Sequence, residues 1–113
     1  LALAISVTQH WADLKRLHVI GTITASGNYV TGGDTLNFTN PKIKSSKVPD
    51  IVTIHGRAVG PAYLYQFVCG TTQANGKMIV ADVATGAELA AAPYPAGVTG
   101  DTIEFHAVFK KLV

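Results

Sequence analysis

Nucleophilic, acid–base and metal chemistry each need particular side chains at particular separations, and this sequence offers few candidates. Its one thiol, Cys69, closes the run Tyr63-Leu64-Tyr65-Gln66-Phe67-Val68. Nothing near it in sequence would lower its pKa, so a buried structural cysteine is expected. No Gly-x-Ser-x-Gly turn presents a serine, which removes the commonest strained nucleophile elbow. The four histidines, His10, His18, His55 and His106, lack the H-x-x-x-H or C-x-x-C spacing of a readable metal site. They read as polar-face strand residues, with convergence of two of them in space left open. The carboxylates Asp13, Asp34, Asp50, Asp82, Glu88, Asp101 and Glu104 fall mostly in turns. Asp34 after Gly32-Gly33 and Asp101 after Gly100 stand where an aspartate bonds local backbone. The expectation is therefore no catalytic centre, no metal and no cofactor.

Binding residues are easier to nominate. Lys42, Lys44 and Lys47 share one polar loop, readable as a solvated face or as a docking patch for an acidic partner. Trp11, Tyr29 and Tyr94 are aromatic residues in or beside turn-rich stretches, and Tyr94 lies in Pro93–Gly100, a loop expected to project. These six residues, Trp11, Tyr29, Lys42, Lys44, Lys47 and Tyr94, are the candidate interface. Asn37-Phe38-Thr39 matches a glycosylation acceptor. Leu1–Gln9 lacks the basic and long apolar regions of a signal peptide, so the acceptor is expected to go unused. Thr31-Gly32-Gly33-Asp34 lacks the Lys-Ser/Thr of a phosphate-binding loop and reads as a turn.

The elements that must position these residues are strands. Leu3, Ile5 and Val7 alternate with smaller or polar residues, and Leu17, Val19, Gly21, Ile23 and Ala25 repeat the pattern, the period of a half-buried strand. Thr35–Phe38 is a short strand, Val48–Arg57 a β-rich stretch expected at a sheet centre and ending at Gly56 and Gly60-Pro61, and Tyr63–Cys69 an aromatic ladder. Asn75-Gly76 favours a type I′ hairpin turn into Lys77–Val83. Glu88–Ala92 reads as strand or coil, and Asp101–Leu112 as the last strand. Seven or eight short strands and no convincing amphipathic helix predict an all-β domain over residues 1–113. The expected architecture is a two-sheet antiparallel sandwich, jelly-roll-like.

The chain has 113 residues, 48% of them hydrophobic and 14% charged, against roughly 25% charged in an average domain. A surface so poor in charge suits a protein covered by partners. A net charge of +2 is too small for a dedicated nucleic-acid binder. No apolar run reaches about 18 residues, so no membrane-spanning helix is expected.

Several segments together resemble the head decoration (cement) proteins of tailed bacteriophages. They are Ile5-Ser6-Val7-Thr8, Leu17–Ile23, Asn28–Leu36, Tyr63–Phe67, Asn75-Gly76-Lys77 and Gly100–Phe105. The resemblance implies a structural protein made in the host cytoplasm and carried on the capsid exterior of the virion. There it would bind the expanded major capsid protein lattice, commonly as a homotrimer, without nucleic acid or membrane. It implies no individual contact residue, and the Ala84–Thr99 stretch departs from the pattern. Two other readings are a carbohydrate- or ligand-binding sandwich using Trp11, Tyr29 and Tyr94 for stacking, and a small enzyme on a β scaffold.

Overall fold

The computed structural model describes residues 2–58 and 62–111. Within them the chain forms β1 (Leu3–Ala12), β2 (Arg16–Ala25), β3 (Asp34–Leu36), β4 (Pro49–Gly56), β5 (Tyr63–Val68), β6 (Gly76–Asp82), a single helical turn α1 (Ala96–Thr99) and β7 (Ile103–Lys110). A four-stranded sheet in the order β1-β2-β7-β4 faces a three-stranded sheet in the order β3-β6-β5. Every pairing is antiparallel. The partnering of β2 with β7 and β3 with β6 nests one strand pair inside another, as in a jelly roll. The expected all-β sandwich is thus the observed one. Gly60-Pro61 and Leu112, expected in a turn and at a strand end, lie outside the described residues.

Alternation accounts for the core. Leu17, Val19, Ile23 and Ala25 of β2 and Ile103, Phe105, Ala107 and Phe109 of β7 point inward and are buried. Phe38, fully buried, meets Phe67, Phe105 and Phe109 edge-on at ring separations of 5.8, 5.3 and 5.7 Å, the geometry that aromatic quadrupoles favour. Gly21 leaves room for that packing: a Cβ there would collide with the Ser6 carbonyl oxygen and stand 2.8 Å from the Phe105 ring.

Four expectations change. The β4 stretch is an edge strand, because β7 returns to the centre beside β2. The β5–β6 connection is no type I′ turn, since neither Asn75 nor Gly76 has positive φ. Asn75 instead closes the loop with its side chain, accepting from the Thr72 amide at 2.8 Å and donating to Thr71 Oγ1 at 2.8 Å. The Pro93–Gly100 loop does not project; Tyr94 and Val98 are buried. Cys69 is exposed rather than buried, because β5 ends one residue earlier and releases the chain.

Candidate functional site

Two bulges shape the outer face of the four-stranded sheet. In β1 the register shifts between Val7 and Gln9, and in β4 between Pro49 and Ile51. A bulge adds one residue and turns the subsequent side chains to the other face. Uninterrupted alternation from Leu3 and Val7 would send Trp11 inward; the extra residue sends it outward, opposite His18. Likewise Ile51 comes to stand opposite Val108. The result is one row, Trp11–His18–Val108–Ile51, across all four strands. Trp11 is 44% and Ile51 61% exposed, and Leu14, at the tip of the β1–β2 hairpin beyond the row, is 95% exposed.

Charge surrounds this apolar strip. The residue squeezed out at the second bulge, Asp50, takes Arg16 at 2.8 Å and Lys110 at 3.9 Å. Lys15 and Lys111 flank the same depression beside Leu14. The loop bearing Lys42, Lys44 and Lys47 is tied to this end, because Ser45 Oγ donates to the Lys110 carbonyl at 2.7 Å and Gln73 Nε2 to the Ser45 carbonyl at 2.6 Å. Those three lysines are exposed. The opposite end of the sandwich holds Asp82, Glu88, Asp101 and Glu104, by strand register and pairing. There Arg57 Nε donates to Glu104 at 2.6 Å and lowers its pKa, with a smaller contribution from His55. The charges of a nearly neutral chain are thus unevenly spread: apart from Asp13 and Asp50 the hairpin end is cationic, and apart from Arg57 the opposite end is acidic.

Within the row lies a polar chain. Asp13 Oδ1 accepts from the Lys15 and Arg16 amides at 2.9 and 2.7 Å, closing the hairpin turn. Its Oδ2 stands 2.9 Å from His18 Nε2, and His18 Nδ1 stands 3.2 Å from His106 Nε2. The His18 hydrogen bond, with the two backbone donors, lowers the Asp13 pKa to about 2. Trp11 stacks on His18 with centroids 5.0 Å apart and planes 2° apart. Sequence spacing could not show this meeting: eighty-eight positions separate His18 from His106, and only the β2–β7 pairing unites them.

Of the six candidate interface residues, Trp11, Lys42, Lys44 and Lys47 lie on the surface and gather toward one end, whereas Tyr29 and Tyr94 do not. Tyr29 is 1% and Tyr94 7% exposed, which corrects the expectation of stacking surfaces. Their rings meet edge-on at 5.7 Å. The Tyr29 hydroxyl donates to Glu88, which also accepts from the Gly32 amide at 2.7 Å, and the Tyr94 hydroxyl donates to Asp34. With their hydroxyls paired, the rings can be buried without an orphaned polar group. Asp34 is therefore a buried partner rather than a turn residue. Burial, and then the Glu88 bond, raises the Tyr29 pKa to about 12. Asp101 holds the Arg57 and Ala58 amides at 3.1 Å and the Tyr65 hydroxyl at 2.8 Å, so the backbone it secures is distant in sequence.

Leu14 and Ile51 were missed as site residues. An exposed leucine at a hairpin tip was legible, but Ile51 depends on the bulge. Among the described residues no three His, Cys, Asp or Glu side chains gather as a metal site, and no helix is long and apolar enough to cross a membrane. No family model, curated protein or solved structure matches the chain.

Proposed function

We propose that the domain is a capsid decoration protein, docking through its hairpin end onto the outer surface of an expanded major capsid protein lattice, with trimers as the attaching unit. The observation that carries this reading is the bulge-built row Trp11–His18–Val108–Ile51, with Leu14 beside it and a charged rim around it. An apolar centre inside a polar rim is the anatomy of protein–protein interfaces. The cations of the rim exceed its carboxylates, which favours an acidic partner surface and speeds encounter more than it adds affinity.

A nucleic-acid backbone fits less well, because Asp50 already occupies Arg16 and Lys110 and leaves them less free for phosphate. The stacking reading for a carbohydrate loses Tyr29 and Tyr94 to the core and keeps Trp11 alone. Binding to the expanded lattice and not to its precursor would stabilise the expanded state by mass action, and a trimer bridging several subunits would multiply modest contacts by avidity.

The test is sedimentation of the purified domain with expanded and unexpanded heads of the virus that encodes it, alongside light scattering of the domain alone. A trimer that saturates expanded heads and leaves unexpanded ones free is the expected result. A monomer that ignores both and binds a glycan array would replace this reading with the ligand-binding one.

A further inference from the structure

We propose that His18 and His106 form a two-imidazole chelate for a borderline divalent cation of the nickel(II) or zinc(II) class, oriented by Asp13. The inference concerns the isolated chain and does not depend on capsid attachment.

Three features of the outer face carry it. The nitrogens His18 Nδ1 and His106 Nε2 are 3.2 Å apart. Two imidazole nitrogens bound at about 2.0–2.1 Å to a tetrahedral ion stand about 3.4 Å apart, so the separation already suits a bidentate site, and each ring has to swing by roughly 35° to turn its nitrogen from the other ring toward a shared ion. Next, the tautomer of His18 is set. Asp13 is a carboxylate that can only accept, so His18 Nε2, 2.9 Å away, carries the proton it receives. In the neutral ring that leaves the Nδ1 lone pair directed toward His106. A carboxylate on the far nitrogen of a ligating histidine is the usual outer partner of a metal-bound imidazole. Finally, Trp11 lies flat on His18 at 5.0 Å and also faces His106 at 5.9 Å, which restrains the ring planes.

In the metal-free protein one proton bridges the two facing nitrogens, supplied by His106 Nε2. On binding, that proton leaves Nε2 and the His106 ring is reprotonated from solvent at Nδ1, so both facing nitrogens become donors to the ion and no proton is released overall. Because no third histidine, cysteine or carboxylate converges there among the described residues, the remaining coordination positions hold water. Imidazole ligands favour nickel and zinc over calcium and magnesium.

Trp11 is the sole tryptophan, so its fluorescence reports on this spot alone. Nickel(II) chloride titrated into the full chain should quench it saturably at one ion per chain, reversibly with a chelator, and calcium chloride should not. His18→Gln and His106→Gln should each weaken binding at least tenfold by calorimetry. Asp13→Asn should weaken it about tenfold, while His55→Gln and Cys69→Ser should leave it unchanged. In the unmutated chain, zinc(II) chloride should shift the ring-proton resonances of His18 and His106 and leave those of His10 and His55 in place, a readout that needs no variant. Absence of those shifts, affinity indifferent to His106→Gln, or quenching lost with Cys69→Ser would each overturn the assignment.

Discussion

Two of the aromatic–carboxylate clusters among the described residues differ in whether they are closed. Tyr29 and Tyr94 bind Glu88 and Asp34, lie inside the core and tie the Ala84–Thr99 stretch to the turn at Gly27: the Tyr29 amide donates to the Ala92 carbonyl at 2.8 Å and the Tyr94 amide to the Gly27 carbonyl at 3.0 Å. Trp11, His18, His106 and Asp13 form a comparable assembly on the outside of a sheet. The first cluster directs its polar groups at one another and so holds the chain together. The second pairs most of its imidazole nitrogens but leaves its tryptophan partly open to solvent. An aromatic residue near a turn is therefore not in itself a binding residue; what decides is whether the fold provides a polar partner that lets it be buried.

Substitution should separate the two clusters most sharply through stability. Tyr94→Ala removes a buried ring and is expected to lower unfolding free energy by about 3–5 kcal/mol in a denaturant titration. Trp11→Ala should change it by about 1 kcal/mol or less. Equal losses would mean that the outer cluster is structural. Tyr94→Phe, which keeps the ring and leaves the buried Asp34 without its donor, should fall between, at about 1–3 kcal/mol.

Alkali should strike the closed cluster together with Tyr65, whose phenol is also raised by burial and by its bond to Asp101, and spare the open one. The Tyr29 hydroxyl ionises near 12 in the fold against the usual 10, and burial also raises Tyr94. Because folding favours the neutral phenols, their contribution is fully present below pH 10 and is lost as pH rises toward and through 12. Thermal unfolding midpoints should fall over that range, and Tyr29→Phe should flatten the decline. Midpoints insensitive to pH there would contradict the staple.

The smallest expected effect belongs to the open cluster. Asp13 should titrate near 2 by carbon-detected NMR and return toward the usual 3.8 in His18→Gln. Folding favours its charged form, so that contribution is present above 3.8 and lost as pH falls through 2. An unchanged titration would mean that the histidine does not hold the carboxylate.

The same division separates the legible parts of the sequence from the rest. Alternation at Leu17–Ala25 and Ile103–Phe109 foretold the inward faces of the two central strands, because period 2 is a local property. It could not place Ile51 or join it to Trp11, an interface candidate by residue type alone, because one inserted residue in an edge strand reverses the facing of every later side chain. It also failed at Tyr29, Tyr94 and Asp34, whose burial depends on partners about sixty residues away, and at His18 and His106, which only strand pairing brings together. The Lys42–Lys47 loop was legible as a basic patch, yet its placement at the hairpin end rests on the hydroxyl of Ser45.

The central claim is that the bulge-turned row is the surface that meets a partner. It is tested most directly by measuring the affinity of Ile51→Asp for expanded heads beside that of the unmutated domain. A carboxylate buried within that contact should reduce affinity by about 2 kcal/mol or more, some thirtyfold, with the unfolding midpoint unmoved. Undiminished binding by a folded Ile51→Asp domain would show that attachment uses another face.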